Sequence, residues 1–143
     1  HHSQQTSITY SKAQQGEVWL LIYKMLAERL GLRARLDDIG TLYRGARGIR
    51  LEDAGAPTRA GDLLADIRER YLSVEQPDAE AARQIDMDCA HRLLKMAWVH
   101  RHCHRAESRN LLQRAKELDS QIWQRRQTRS MIRLQVERER RRS

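Results

Sequence analysis

The sequence predicts an all-α fold, a helical bundle with a long Arg-rich C-terminal helix or helical hairpin. Three observations lead to this prediction. Apolar residues recur at helical spacing along most of the 143 residues. The chain contains three Trp, four Tyr and no Phe, so a large aromatic-packed β core is not expected. Residues 78–143 contain neither Gly nor Pro, the two residues that most often interrupt helices.

The first helix is predicted to begin at Ser11 and to end near Leu30. Ser11 and Gln14 match the capping-box pattern, in which two side chains satisfy each other's backbone donors. Gly31 suits the position after a helix end, where the backbone takes a positive φ. Residues 1–10 are expected to be flexible, and residues 1–3 resemble the remnant of an expression tag. The apolar stripe of this helix consists of Val18, Leu21, Ile22, Met25, Leu26 and Leu30, with Trp19 and Tyr23 beside it.

A short second helix is expected next, with Asp37 or Asp38 as its cap and Leu36, Ile39, Leu42 and Tyr43 on its apolar side. Five of the seven glycines lie between residues 40 and 61, which predicts a loop-rich region. Within it, Arg44, Arg47 and Arg50 alternate with glycines. Such a segment can place backbone donors and guanidinium groups against phosphates, or it can be a mobile surface loop. A third helix is expected from Thr58 or Asp62.

The last predicted unit spans residues 78–143. Asp78 and Glu80 place negative charge in the first turn of a helix, which the helix dipole favours. A continuous helix of this length would be about 100 Å long. A hairpin is favoured instead, broken at residues 104–110, where Ser108 or Asn110 suits a new cap. Residues 124–143 are expected to form a frayed helix or a basic arm, and residues 11–143 a single helical domain.

Positive charge is concentrated at the C-terminal end of the sequence. Residues 1–90 carry 12 basic and 14 acidic residues, a net charge of −2, whereas residues 91–143 carry 15 basic and 5 acidic residues, a net charge of +10. Arginine supplies 23 of the 27 positive charges, and its planar guanidinium fits phosphate oxygens. This pattern favours a polyanion as partner. The alternatives are a solvated face, a face that binds an acidic protein, and an anionic lipid surface.

The most unusual local cluster is the segment of residues 100–104, whose sequence is His-Arg-His-Cys-His. On one helix, His100 and His104 share a face and could chelate zinc, with Cys103 as a third ligand. The neighbouring arginines oppose a cation. The other interpretations are a nucleic-acid contact strip and a helix end with exposed histidines. No metal is therefore predicted.

No enzyme motif is present, and neither a catalytic residue nor a cofactor is predicted. The carboxylate pairs Asp86 with Asp88 and Asp37 with Asp38 diverge on a helix, so they are interpreted as caps or solvated surface. Cys89 and Cys103 are expected about 20 Å apart on one helix, too far for a disulfide. Free thiols are typical of a cytoplasmic protein. No apolar run is long enough to span a membrane.

The three tryptophans receive different interpretations. Trp19 and Trp98 lie beside apolar stripes and are expected in the core. Trp123 lies among Gln and Arg residues, so it is either a core or interface residue or a platform on which a base stacks.

In size, helix content and charge pattern, the chain resembles the small subunits of multisubunit CRISPR effector complexes. The resemblance implies a cytoplasmic ribonucleoprotein subunit in antiviral defence that holds a guide or target strand by basic faces and contacts other subunits. The partners would be single-stranded RNA or DNA and protein, without a membrane. The candidate contacts, chosen on charge alone, are Arg44, Arg47, Arg101, Arg105, Arg109, Arg125, Arg126, Arg129 and Arg133.

Two other functions fit the sequence. A helical interaction protein would self-associate or dock on an acidic partner. A plasmid or phage DNA-binding regulator would use residues 31–45 as a helix-turn-helix, although that segment is weakly basic for a recognition helix.

Overall fold

A computed structural model describes the backbone of residues 12–142 and the side chains of residues 18–142. Within this part all regular secondary structure is helical and strands are absent, which confirms the predicted all-α bundle. The expected flexibility of residues 1–10, the tag remnant and the cap at Ser11 lie outside the described residues. The elements are α1 (Lys12–Leu30), α2 (Leu36–Ala46), α3 (Ala56–Glu75), α4 (Ala79–Val99), α5 (Arg105–Leu118), a 3₁₀ turn (Ile122–Gln124) and α6 (Arg126–Arg142).

Helix α4 is the centre of the bundle and packs against α2, α3, α5 and α6. Its buried side forms the main apolar core with residues from α3, α5 and α6. A second, smaller core lies between α1, α2 and α3. The largest side chains that are fully buried include Leu94, Met96, Leu111 and Ile122, and the second core is built on Leu30, Leu32, Ile39 and Leu63.

Two helix ends lie where local signals predict them. Helix α1 ends at Leu30, and Gly31 follows with φ +62°. Helix α4 begins after Asp78, whose carboxylate accepts a 2.8 Å hydrogen bond from the backbone N–H of Ala81. Both signals are local, because each residue lies within four positions of the helix end that it determines.

The predicted boundaries between residues 36 and 61 are wrong in three places. Helix α2 begins at Leu36, so Asp37 and Asp38 lie in its first turn and do not cap it. Helix α3 begins at Ala56, before the expected start. The Gly-rich region is mostly helical, and two of its glycines lie where another helix passes close to their backbone. A Cβ on Gly45 would lie 2.8 Å from the sulfur of Met96, and one on Gly61 would lie 2.6 Å from Leu111.

Residues 78–142 fold as a hairpin, as expected, followed by a third helix. The break lies at residues 100–104, earlier than predicted, and Ser108 lies inside α5. Its hydroxyl donates a 2.6 Å hydrogen bond to the carbonyl of Ala97, which ties the two hairpin helices together. Helix α6 packs Thr128, Met131 and Gln135 inward, so most of the predicted arm is a docked helix. No helix of residues 12–142 has the length and apolarity needed to cross a bilayer.

Candidate nucleic-acid interface

The nine arginines proposed from charge fall into two groups in the structure. Arg101 and Arg125 are bound to carboxylates of this chain, and Arg47 lies against a tyrosine ring. The other six are exposed to solvent, and no carboxylate pairs with them among the described residues. These six are Arg44, Arg105, Arg109, Arg126, Arg129 and Arg133.

Arg101 joins the α4–α5 turn to α6. Its guanidinium donates hydrogen bonds of 2.7 and 3.0 Å to the two carboxylate oxygens of Glu139, and it lies 4.3 Å from the ring centre of Trp98. A further 2.7 Å bond reaches the carbonyl of Trp98. Hydrogen bonding from Arg101 lowers the pKa of Glu139. Because Glu139 neutralises its charge, Arg101 is left out of the contacts proposed below, and its assignment stays a prediction.

Arg125 has an equivalent role at the junction of α5 and α6. Its guanidinium donates two hydrogen bonds, of 2.9 and 3.0 Å, to the buried carboxylate of Asp119. The pKa of Asp119 is lowered, first by these bonds from Arg125 and further by the backbone N–H of Gln121. A bidentate pair of this kind fixes the direction in which the chain enters α6. Arg125 is therefore also removed from the proposed contacts.

The outward side of α6 presents aligned, exposed arginines. Thr128, Met131 and Gln135 face the bundle, so positions 126, 129 and 133 lie on the opposite side. Arg129 donates a 3.0 Å hydrogen bond to the carbonyl of Gln124, which leaves its charge unneutralised. The other two make no ion pair within residues 18–142. We call Arg126, Arg129 and Arg133 the α6 stripe.

Two further exposed arginines lie on the solvent side of α5. Arg105 and Arg109 are four residues apart and thus share a face. Ser108, Leu111 and Ala115 turn the other side of this helix inward. Arg105 and Arg109 therefore lie on a different helix from the α6 stripe, and both helices pack on α4.

The Arg44–Arg50 segment does not present the backbone donors that one of its two interpretations, a phosphate-binding loop, requires. Arg44 lies in the last turn of α2, and the N–H groups of Arg47, Gly48 and Ile49 all bond to carbonyls of that turn. These backbone donors are therefore unavailable to phosphates. Arg47 donates a 3.3 Å hydrogen bond to the hydroxyl of Tyr43 and lies 5.2 Å from its ring centre.

The histidines of the α4–α5 turn hold the backbone of Leu51. His100 is fully buried; its Nε2 accepts a 2.8 Å bond from the Leu51 N–H, and its Nδ1 donates to the Met96 carbonyl at 2.7 Å. His104 donates from Nε2 to the Leu51 carbonyl at 2.9 Å. Burial lowers the pKa of His100, which favours this neutral form. Neither zinc binding nor nucleic-acid contact by His100 is possible, because both ring nitrogens are used. No His, Cys, Asp or Glu cluster of the described residues could hold a metal.

Glu107 of α5 caps the beginning of α3, a role that the sequence analysis missed. Its carboxylate accepts hydrogen bonds from the Gly55 N–H at 3.1 Å, the Thr58 N–H at 3.0 Å and the Thr58 hydroxyl at 2.6 Å. Burial raises the pKa of Glu107, but these bonds outweigh it and the pKa is lowered. No local signal could reveal this cap, because the glutamate lies 49 residues from Thr58.

The remaining residues considered in the sequence analysis are two carboxylates and two cysteines of α4 and the turn after it. Asp86 and Asp88 each pair with an arginine, Arg68 at 2.7 Å and Arg92 at 2.9 Å. Cys89 is buried in α4, which raises the pKa of its thiol to about 11, and the exposed Cys103 lies in the following turn. The expectation that both cysteines share one helix is wrong, although both thiols are free.

Trp123 is the most exposed of the three tryptophans, with 41% of its surface accessible, and lies in the 3₁₀ turn that leads into α6. Trp19 and Trp98 are half-buried beside the apolar cores. Trp123 thus presents an accessible ring close to the start of the α6 stripe.

Comparisons of the chain with protein-family models, with curated proteins and with solved structures gave no match. The resemblance to CRISPR small subunits therefore depends on size, helix content and charge alone.

Proposed function

We propose that this protein binds single-stranded nucleic acid without sequence preference through the α6 stripe. The observation that carries this proposal is the exposure of Arg126, Arg129 and Arg133 on one side of a docked helix, with no carboxylate paired to them among the described residues. Carboxylates pair with Arg101 and Arg125, whereas none pairs with the stripe among the described residues. An unneutralised row of guanidinium groups attracts a polyanion.

The mechanism is electrostatic. Arg126 and Arg133 are seven residues apart, which separates them by about 10 Å along the helix axis. Each guanidinium would donate paired hydrogen bonds to a phosphate and displace its counterion. Phosphate contacts carry no sequence information, so binding of this kind tolerates any sequence. Arg105 and Arg109 would extend the contact onto α5.

Trp123 adds a contact that distinguishes a single strand from a duplex. Its exposed ring lies close in sequence to Arg126, and an unpaired base can stack on it. Stacking of a base on an aromatic ring contributes roughly 1–3 kcal/mol and is tolerant of base identity.

The experiment reverses charge on two matched sets of three arginines. The first variant changes Arg126, Arg129 and Arg133 to Glu. The control changes Arg33, Arg35 and Arg70 to Glu, residues that are exposed and distant in sequence from α6. Both variants have the same net charge, so nonspecific electrostatics change equally.

Affinity for a fluorescent single-stranded oligonucleotide is measured against salt concentration. We expect the first variant to lose most affinity and to flatten the log–log slope by about 2, since each of three contacts contributes about 0.7. The control should retain the slope. Equal losses in both variants would show that net charge, and not this face, determines binding.

Self-association is a second proposed function, favoured by a different observation. Helix α1 leaves Leu21 and Met25 more than half exposed, with Val18 in the same stripe. We infer self-association through this stripe. Light scattering should show an oligomer that the double variant Leu21→Glu, Met25→Glu converts to a monomer, and a monomeric parent protein would refute it.

The regulator alternative receives no support from α2. A recognition helix presents its first turn to DNA, and the first turn of α2 carries Asp37 and Asp38, which phosphates repel.

A further inference from the structure

A cavity with a volume of about 420 Å³ lies between α1, α2, α3 and α4. Each of these helices contributes apolar side chains to its wall, among them Ile22, Leu42, Ile67 and Ile85. Sites that bind small molecules have volumes of about 300–1,000 Å³, so this cavity is of that size. Because a water-sized group takes roughly 30 Å³ of a liquid, the cavity has room for an apolar chain of about ten such groups.

The cavity lies where the two apolar cores meet. Leu64 and Cys89 of the main core line it, and so do Ile39 and Leu63 of the smaller core. The apolar side chains that complete the wall pack against these cores but are only half-buried, and they include Ile22, Leu42, Ile67 and Ile85. A hydrocarbon chain in the cavity would remove the exposed parts of these side chains from water, which favours its binding.

Three arginines also line the cavity, and two of them are neutralised. Arg68 pairs with Asp86 at 2.7 Å, and Arg92 pairs with Asp88 at 2.9 Å. Arg47 follows the end of α2 and is exposed, and among the described residues no carboxylate pairs with it. One guanidinium beside the apolar wall therefore remains available to an anion. A guanidinium binds a carboxylate through two parallel hydrogen bonds, which gives this pair both strength and a defined geometry.

We propose that this cavity binds an aliphatic carboxylate of medium chain length, with the hydrocarbon chain between the four helices and the carboxylate on Arg47. The apolar wall selects for the chain, and the unpaired guanidinium selects for one negative charge at its end. Arg47 would repel a chain that ends in a cation. The site contains no residue of the α6 stripe, so it is independent of the proposed binding of nucleic acid.

The first experiment locates bound decanoate by NMR on the whole protein, with the δ1-methyl groups of isoleucine labelled with ¹³C. Decanoate is added at concentrations below those at which it forms micelles. Four isoleucines line the cavity, namely Ile22, Ile39, Ile67 and Ile85, whereas Ile122 is buried in the main core and does not line it. We expect saturable shifts of the four methyl signals from the wall and an unchanged signal from Ile122. Unchanged signals from the wall would overturn the proposal.

The second experiment varies the chain and the charge of the ligand and follows the same methyl signals. From hexanoate through octanoate to decanoate, we expect the affinity to rise by about fourfold for each methylene that is buried. Decanol and decylammonium have the same chain as decanoate but lack its negative charge, so they should bind at least about tenfold more weakly. Equal affinities for these three ten-carbon compounds would overturn the assignment of a carboxylate.

The third experiment tests Arg47 against a matched control on the same helix end. Arg47→Gln changes an exposed side chain and should weaken decanoate binding by about tenfold while leaving decanol binding unchanged. Arg44→Gln removes the same charge from a residue outside the wall and should retain the affinity for decanoate. Equal losses in the two variants would overturn the role of Arg47. Wall signals that shift with protein concentration in the absence of decanoate would overturn the choice of ligand, because a second copy of the chain would then enter the cavity.

Discussion

The α4–α5 hairpin and α6 are both rich in arginine, but they use it differently. In the hairpin, Arg92, Arg101 and Arg114 each pair with a carboxylate, and the last two reach acids on other elements. Only Arg105 and Arg109, at the start of α5, resemble the α6 stripe in being exposed without such a pair among the described residues. On α6, the arginines of the stripe face solvent without such partners among the described residues. Arginine content alone therefore does not identify a binding face. The placement of acids within reach of each guanidinium decides which charges remain available.

The largest expected effect tests the internal polar contacts of the hairpin. His100→Leu removes the acceptor for the buried Leu51 N–H and should lower the free energy of unfolding by about 2–3 kcal/mol. Urea denaturation measures the change. His102→Leu, at an exposed position of the same turn, should change it by less than about 0.5 kcal/mol. Equal effects at both positions would contradict the role of His100.

Adjacent arginines at the start of α6 provide a sharper comparison. Arg125→Met should lower the melting temperature, because the buried carboxylate of Asp119 loses its partner. Arg126→Met should leave the melting temperature unchanged and reduce the salt slope of oligonucleotide binding by about 0.7. Thermal denaturation and binding are measured on both variants. The division between structural and available arginines would be wrong if the two substitutions had interchangeable effects.

A smaller effect is expected from pH. The pKa of His100 is lowered by burial from its usual 6.5, so its contribution to stability is complete above pH 6.5 and is lost as pH falls through the lowered value. Glu107, Asp119 and Glu139 also have lowered pKa values, and their contributions to stability are lost at more acidic pH, as each carboxylate becomes protonated.

Urea midpoints should therefore decline in two stages as the solution is acidified. Burial lowers the pKa of His91 as well as that of His100, so His100→Gln should reduce the first stage, and the double variant His91→Gln, His100→Gln should abolish it but not the second. A first stage that persists in the double variant would assign it to another group.

Features encoded within one helical turn could be predicted from the sequence. The end of α1 before Gly31 and the negative charge at the start of α4 are of this kind, although Asp78 caps α4 and does not lie in its first turn. The charge asymmetry also located the Arg-rich helices. The all-α class followed from periodicity, which depends on the chain alone.

Features that depend on distant residues could not be predicted. Gly45 and Gly61 indicated loops, yet each lies in a helix where Met96 or Leu111 passes close to its backbone. Helix α5 begins without a side-chain cap, because its start is fixed by the contact of the preceding turn with Leu51. The partner of Arg101 lies 38 residues away, so charge counting could not show that this arginine is neutralised.

The two hydrogen bonds that His100 and His104 make to the backbone of Leu51 affect the order in which the chain folds during synthesis. The ribosome produces α2 and the Leu51 segment about fifty residues before the two imidazoles that hold it, and the carboxylate that begins α3 emerges similarly late. At about 5–20 residues per second, the nascent segment has only water to satisfy its backbone for several seconds. The Leu51 segment and the first turn of α3 therefore acquire these hydrogen bonds only after the hairpin has been synthesised.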